Sequence, residues 1–201
     1  MRVGIVGYGV IGKATASIFP ELVIYDPYKG FPEAQPLSEC QVVFVCVPTP
    51  TLAEGQDLSS VRRSLQQVAP VLHRDQVVAI RSTVLPGTTR ALQREHPDLT
   101  LAANPEFLRS HRAMDDMREP ARIVIGAEQP RARRLLVEAY KASLAVDVAR
   151  RLILTDTTTA ELIKYAANCY LAMKISYFNE MYDICSALGA DYETLRTALG
   201  M

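Results

Sequence analysis

The stretch Gly7-Tyr8-Gly9-Val10-Ile11-Gly12 decides the fold. It follows the short apolar run Arg2–Val6 and precedes a helical pattern, so the glycines lie between a predicted strand and a predicted helix. In a dinucleotide-binding fold the first glycine makes the tight turn, the second admits the pyrophosphate, and the third lets the helix pack on the strand. The pyrophosphate would lie at the helix N-terminus, beside Val10 and Ile11. An ordinary glycine turn is the alternative, and the strand-to-helix context argues against it.

An acidic residue closes the next predicted strand, Leu22–Tyr25. Asp26 lies at the distance from the glycines where a carboxylate binds the adenosine ribose hydroxyls. A carboxylate there repels the additional phosphate of NADP, so the sequence predicts NAD as the cofactor. The alternative is that Asp26 is an exposed turn residue before Pro27.

Short apolar runs alternate with helical patterns over residues 1–150, which is typical of a doubly wound sheet covered on both faces. We therefore predict an α/β, Rossmann-type, mostly parallel sheet forming an NAD-binding domain over 1–150. The predicted strands are Arg2–Val6, Leu22–Tyr25, Val42–Cys46, Val77–Arg81, Leu99–Ala102 and Arg122–Ile125, and the predicted helices are Val10–Phe19, Leu58–Val71, Thr88–Glu95 and Arg131–Ser143.

The remaining residues have a different pattern. No Gly or Pro interrupts the stretch from Thr158 to Leu188, Thr158 and Glu161 fit a capping box, and Gly189 fits a C-terminal stop. A helix of about 30 residues would be roughly 45 Å long, which is more than one small domain needs. We expect residues 151–201 to form a central helical region that bridges domains and makes a homodimer.

Composition argues against several classes of function. The chain has 22 basic and 22 acidic residues with no long run of one sign, unlike a nucleic-acid-binding protein. No apolar stretch reaches the about 18 residues of a membrane span, and the N-terminus enters a strand pattern instead of a secretory signal. The four cysteines match no metal-binding or disulfide pattern, so we predict no metal site and a cytoplasmic protein with reduced thiols.

Five further motifs follow one another along the chain. They are Val45-Cys46-Val47-Pro48-Thr49-Pro50, Arg81-Ser82-Thr83-Val84-Leu85-Pro86-Gly87-Thr88-Thr89, Asn104-Pro105-Glu106-Phe107-Leu108-Arg109, Pro120-Ala121-Arg122-Ile123-Val124-Ile125-Gly126 and Ala160-Glu161-Leu162-Ile163-Lys164-Tyr165-Ala166-Ala167-Asn168. In this order they resemble the UDP-glucose/GDP-mannose dehydrogenase family. The resemblance implies NAD-dependent oxidation of the C6 alcohol of a sugar nucleotide, of the UDP-glucose type, to the carboxylate.

The resemblance also implies catalytic roles. Lys164 and Asn168 match residues that stabilise oxyanions near the reacting carbon, and their spacing of four places both on one helix face. Glu106 matches a general base that, with the residue matching Thr83, handles a water molecule in the hydrolytic step. A lone lysine on a helix is usually solvated; the paired Asn168 and the apolar flanking residues favour the functional interpretation.

Val47, Pro48 and Thr49 follow a predicted strand, where the nicotinamide end of the cofactor would lie, and Thr83 is expected to contribute there as well. The alternative for Pro48 and Thr49 is a plain turn at the end of the strand.

The sequence also departs from the family pattern. The family's cysteine nucleophile and its second sugar-nucleotide-binding Rossmann domain follow the position where this chain ends, so we expect either a fragment or a natural short form. Only 15 residues separate Asp26 from Val42, which shortens the rim of the cofactor cleft. Ser110 stands where the family tends to have a glutamate, so one polar contact near the nicotinamide is lost.

None of the four cysteines is expected to replace that nucleophile. Cys169 would point about 140° away from Lys164, and Cys185 would lie roughly 30 Å further along the helix. Cys46 lies in a buried strand and Cys40 leads into it, so all four are interpreted as structural.

Two alternative functions stay open. One is a short two-electron dehydrogenase that oxidises an alcohol only to the aldehyde, which requires no thiol. The other is a non-catalytic NAD-binding or assembly module.

Overall fold

The computed structural model describes residues 1–200. Within them the chain forms a seven-stranded sheet and a separate two-stranded hairpin. The strands are β1 (Val3–Val6), β2 (Leu22–Tyr25), β3 (Val42–Val45), the hairpin strands β4 (Thr51–Leu52) and β5 (Gly55–Gln56), β6 (Val77–Ile80), β7 (Leu101–Ala103), β8 (Ile123–Gly126) and β9 (Leu152–Thr155). The helices are α1 (Val10–Ala16), α2 (Ser59–Val68), α3 (Thr88–Glu95), α4 (Ala113–Arg118), α5 (Pro130–Ser143), α6 (Val148–Arg151), α7 (Thr157–Leu188) and α8 (Tyr192–Ala198).

The strand order of the large sheet is β2-β1-β3-β6-β7-β8-β9. Strand β1 pairs in parallel with β2 on one side and with β3 on the other, so the winding reverses beside β1. Open α/β sheets bind ligands in the crevice at the carboxyl ends of the strands where this reversal occurs. Strand β8 runs antiparallel to β7. The predicted α/β, Rossmann-type, mostly parallel fold is confirmed.

The core lies on both faces of this sheet. On one face, Phe44 of β3 packs against Tyr140 of α5, with ring centroids 6.3 Å apart. On the other face, Val43 packs with Leu65 of α2 and Leu92 of α3. This burial on both sides explains why the central strands are apolar at nearly every position.

Several elements differ from the prediction. The sequence does not predict β4, β5, β9, α4 or α6, which have two to six residues each. Strand β9 extends the sheet to Thr155. The structure divides into two compact units, one over Met1–Lys164 and one beginning at Tyr165. The functional division into 1–150 and 151–201 stays a prediction.

Helix α7 has 32 residues, close to the predicted span, and Gly189 follows it with a φ of 65°. The predicted capping box is wrong. The Oδ1 atom of Asp156 accepts a hydrogen bond from the Thr159 amide at 2.9 Å, so Asp156 caps the helix and Thr158 lies inside it. Within the described residues, no helix is long and apolar enough to cross a membrane.

Candidate active site

The glycine loop leads from β1 into α1. Gly7 has a φ of 90°, and a Cβ atom there would lie 2.8 Å from Val47 Cγ1. A Cβ atom on Gly12 would lie 2.0 Å from the Gly7 carbonyl oxygen. At Gly9, by contrast, no atom of residues 1–200 lies within 4 Å of such a Cβ. The fold therefore requires glycine at 7 and 12, while the open space at Gly9 faces the crevice before Val10, the first residue of α1.

Asp26 links the end of β2 to this loop. Its Oδ2 atom accepts a hydrogen bond from the Tyr8 amide at 2.8 Å, and its Oδ1 atom accepts one from the Tyr28 amide at 3.1 Å. The short connection to β3 contains two 3-10 segments, Pro27–Lys29 and Gln35–Glu39, and no α-helix. The carboxylate is thus held beside the glycine loop, where the ribose of a dinucleotide would lie.

A cleft of about 300 Å³ joins these features at the carboxyl ends of β1, β2 and β3. Gly7, Gly9, Asp26, Val47 and Pro48, which the sequence motifs select for the cofactor site, line it; their binding of the cofactor stays a prediction. Its other wall, which no motif in the sequence indicated, is formed by α2 with Ser60, Arg63, Ser64 and Gln67. Their spacing of three and four residues on one helix face was a usable signal for a shared surface.

A smaller pocket of about 180 Å³ shares Cys46, Val47 and Pro48 with that cleft. It brings together six residues that the sequence analysis selected, with Arg81 and Ser82 added to its wall. The selected residues are Ile11, Val47, Pro48, Thr49, Thr83 and Glu106.

Hydrogen bonds fix the loops that form this pocket. The hydroxyl of Thr49 donates to the Thr83 carbonyl at 2.6 Å, and the amide group of Gln56 donates to the same oxygen at 2.8 Å. The hydroxyl of Ser82 donates to the Val47 carbonyl at 2.6 Å. The segments after β3 and β6 are therefore held together, and the β4–β5 hairpin supports them through Gln56.

Lys164 and Glu106 form an ion pair beside Thr83. The Lys164 Nζ atom is 2.9 Å from Glu106 Oε1, and the two side chains are only 8% and 12% exposed. The second carboxylate oxygen accepts a hydrogen bond from the Leu108 amide at 2.5 Å. The Lys164 ammonium also lies 5.5 Å from the centre of the Phe107 ring. Lys164 is therefore not a solvated surface lysine.

Glu161 is a second buried carboxylate on the first turns of α7. It accepts hydrogen bonds from the Gly87 amide at 2.6 Å and from the Thr89 amide at 2.7 Å, at the start of α3. Burial raises the pKa of Glu161, and these hydrogen bonds oppose the rise. This carboxylate ties the segment that follows Thr83 to the helix that presents Lys164.

Two other selected residues lie elsewhere. Asn168 follows Lys164 by one turn of α7, belongs to the second compact unit and has an exposed side chain. Ser110 begins a 3-10 turn and lines, with His111, a hollow beside Val10 and Lys13. The role of Asn168 in catalysis stays a prediction.

The cysteines are free thiols. Burial raises the pKa of both Cys40 and Cys46 to about 11, so neither is a ready nucleophile at neutral pH. Cys185 is buried and Cys169 is exposed.

A glycine loop at a topological switch point, an acid at the end of the next strand and an adjoining pocket with polar and charged groups define a dinucleotide-binding domain of the dehydrogenase class. The chain belongs to the UDP-glucose/GDP-mannose dehydrogenase family. The family's NAD binding domain matches residues 32–144, and its central domain matches residues 158–201. The resemblance in the sequence is thereby confirmed, and NAD is the cofactor of the family's domain that this chain carries.

Individual relatives support this family assignment. The chain is 36% identical to a UDP-glucose 6-dehydrogenase of Rickettsia bellii over 170 residues, which cover 82% of this chain and 39% of that protein. Among solved structures, it is similar to a UDP-glucose dehydrogenase of Pyrobaculum islandicum, with a TM-score of 0.81 and 28% identity over 100% of this chain and 56% of the other. A GDP-mannose dehydrogenase of Pseudomonas aeruginosa also has a TM-score of 0.81, with 25% identity over 98% and 56% of the two chains. The chain thus spans about two fifths of the length of the curated relatives it matches.

Proposed function

We propose that this chain provides the NAD-binding domain and part of the catalytic machinery for oxidation of the C6 alcohol of a sugar nucleotide of the UDP-glucose type. The observation that carries the proposal is a pocket that adjoins the cofactor cleft and is lined by Thr83 and by Glu106, whose carboxylate is paired with Lys164. The sequence resemblance and the matched relatives support the substrate class.

The residues of the cleft fit NAD. The open space at Gly9 would accommodate the pyrophosphate, and the amides of Val10 and Ile11, in the first turn of α1, would donate to it. Asp26 retains lone pairs for the ribose hydroxyls beyond its two backbone hydrogen bonds. Val47, Pro48, Thr49 and Thr83 would line the nicotinamide end, and NAD bound there supplies a hydride acceptor.

The ion pair of Lys164 and Glu106 supplies the groups that the chain itself would contribute to the reaction. The buried Lys164 ammonium stabilises negative charge on the substrate oxygen, because a fixed cation in a poorly solvated pocket needs no reorganisation as charge develops. Glu106 accepts a proton or orients a water molecule from the other side of the pair. Asn168 provides a second hydrogen-bond donor to the oxyanion from the same helix.

Oxidation of the alcohol only to the aldehyde is the second candidate. That reaction requires no thiolate, and burial raises the pKa of Cys40 and of Cys46 to about 11, so neither would supply one at neutral pH. A non-catalytic NAD-binding module is the third reading.

We also propose that the chain forms a homodimer through α7 and is cytoplasmic. The exposed apolar side chains of α7 support the first, and free thiols accord with the second.

The deciding experiment measures NADH formation with NAD and UDP-glucose, alongside NAD binding. Two NADH per sugar support full oxidation, and one NADH supports the aldehyde product. Binding without NADH would make the chain a silent module or a part that needs residues outside it, and no binding of NAD would overturn the proposal. Asp26→Ala should weaken NAD binding by about tenfold or more and reduce the preference over NADP.

A further inference from the structure

Arg81 carries a buried charge that the proposed chemistry does not use. The residue is 4% exposed and lines the same pocket as Thr83 and Glu106. Its Nη1 atom donates to Asn104 Oδ1 at 2.7 Å and to the Tyr140 hydroxyl at 2.8 Å, and Nη2 lies 3.1 Å from Met117 Sδ. Its Nε atom is buried without a hydrogen-bond partner among the described residues. All of these partners are uncharged.

The pocket therefore has an excess of positive charge. The carboxylate of Glu106 is already paired with Lys164 at 2.9 Å, so the two charges largely compensate each other. Arg81 then remains as a buried cation that forms no ion pair within the described residues 1–200. The charge of Arg81 acts on the wall of the pocket, to which Cys46 belongs. Burial raises the pKa of the Cys46 thiol to about 11, and the Arg81 charge opposes that rise. Burying a cation without a counter-ion is costly, so this arrangement calls for an explanation beyond packing.

We propose that Arg81 sets the relative affinity of the chain for the two forms of the cofactor. It weakens the binding of NAD⁺, whose nicotinamide ring is cationic, relative to that of NADH, whose ring is neutral. This inference rests on the proposed function, because it places the nicotinamide ring in the pocket of Thr83 and Glu106. A fixed cation repels the oxidised ring and has little effect on the reduced one.

The consequence for the reaction follows from charge balance. Hydride transfer moves one hydrogen with two electrons from the alcohol carbon to the ring, the ring loses its positive charge, and the hydroxyl proton leaves to a base. Removing positive charge from the neighbourhood of Arg81 makes this step more favourable on the protein than in water. At an effective dielectric constant of about 20, the repulsion between two unit charges within about 10 Å of each other changes an equilibrium by on the order of tenfold or more.

The test compares the affinities of NAD⁺ and NADH for the purified 201-residue chain. Binding of NADH is followed by its fluorescence, and binding of NAD⁺ by competition. The wild type should bind NADH on the order of tenfold more tightly than NAD⁺, and Arg81→Gln should reduce this ratio to near one by strengthening NAD⁺ binding. Arg81→Lys, which keeps the charge, and Tyr140→Phe, which removes a hydrogen-bond partner but no charge, should both keep the wild-type ratio.

The outcomes separate this inference from the proposed function. Failure of the wild type to bind either cofactor would overturn the proposed function. Equal affinity of the wild type for the two cofactors would overturn the role of Arg81, and this comparison stands even if Arg81→Gln does not fold. An unchanged ratio in a folded Arg81→Gln chain, or the same loss in Tyr140→Phe, would also overturn it.

Discussion

At the scale of single residues, the ion pair of Lys164 and Glu106 depends on both partners because both are nearly buried. Replacing only Lys164 with Met leaves a carboxylate without its counter-ion, and we expect a loss of about 3 to 5 kcal/mol in the free energy of unfolding. Combining it with Glu106→Gln removes the orphaned charge, so the double variant should lose less than Lys164→Met alone. Urea unfolding of Lys164→Met, of Glu106→Gln and of the double variant checks this; strictly additive losses would show that the pair is not coupled.

Glu161 should give the protein a characteristic dependence on pH. Burial raises the pKa of Glu161 in the folded chain, while the unfolded chain keeps the ordinary value near 4.5. The resulting stabilisation is fully present below the unfolded-state pKa and is lost as pH rises through the folded-state pKa. We therefore expect the wild type to gain stability relative to Glu161→Gln as pH falls from 7 towards 4. The exposed Glu33→Gln is the control, and a pH-independent difference between wild type and Glu161→Gln would contradict the expectation.

At the scale of elements, two glycines of the loop between β1 and α1 are needed for different reasons: Gly12 for the fold and Gly9 for the ligand. A Cβ atom at Gly12 would meet the Gly7 carbonyl at 2.0 Å, whereas one at Gly9 would meet nothing within 4 Å. Gly12→Ala should destabilise the fold by about 2 kcal/mol or more through strain between β1 and α1. Gly9→Ala should keep the wild-type melting temperature and weaken NAD binding at least about tenfold, because the methyl group takes the space of the pyrophosphate.

Thermal melts and NAD titrations of both variants decide this. A Gly9→Ala chain that binds NAD normally would show that the pyrophosphate lies elsewhere, and a Gly12→Ala chain with unchanged stability would show that the close approach relaxes freely.

The same elements show what local sequence can predict. Strand β2 and helix α3 have the predicted bounds, because β2 is an apolar run that ends before Asp26 and Pro27, and α3 lies between Gly87 and Pro97. Strand β7 begins at Leu101 instead of the predicted Leu99. The Gln93 side chain satisfies the carbonyl of Leu99 and the amide of Leu101, and nothing in the strand pattern reveals this contact. The β4–β5 hairpin has strands of two residues and depends on Gln56 for its attachment.

At the scale of the whole molecule, the site could be predicted only where its residues are close in sequence or where the family resemblance supplied them. The glycine loop and Asp26 are local features with a known spacing. Lys164 and Glu106 are 58 positions apart, and Glu161 reaches an amide 74 positions away. Such contacts arise because the first turns of α7 pack against the segments that follow β6 and β7. For the same reason, the sequence did not distinguish Arg81 as a buried cation of the pocket.

The second compact unit, which begins at Tyr165, leads to the last prediction. Among its described residues only Cys185 is buried, while large apolar side chains on α7 are exposed, with Leu171 at 56% and Ile175 at 65%. Leu171 and Ile175 are one turn apart and share a helix face. Covering such side chains contributes roughly 25 cal/mol per Å², so we expect α7 to pair with α7 of a second copy.

Sedimentation equilibrium of the wild type should give a dimer, and the double substitution Leu171→Glu with Ile175→Glu should shift it to monomer at micromolar concentrations, because two carboxylates would face the partner helix without counter-ions. Ser176→Glu, which adds a charge about 100° around the helix from Ile175, is the matched control and should remain dimeric. Circular dichroism should show that all three chains keep their helix content. A monomeric wild type, or a double variant that dimerises as before, would exclude α7 as the interface and leave its apolar residues to be covered by another part of the protein.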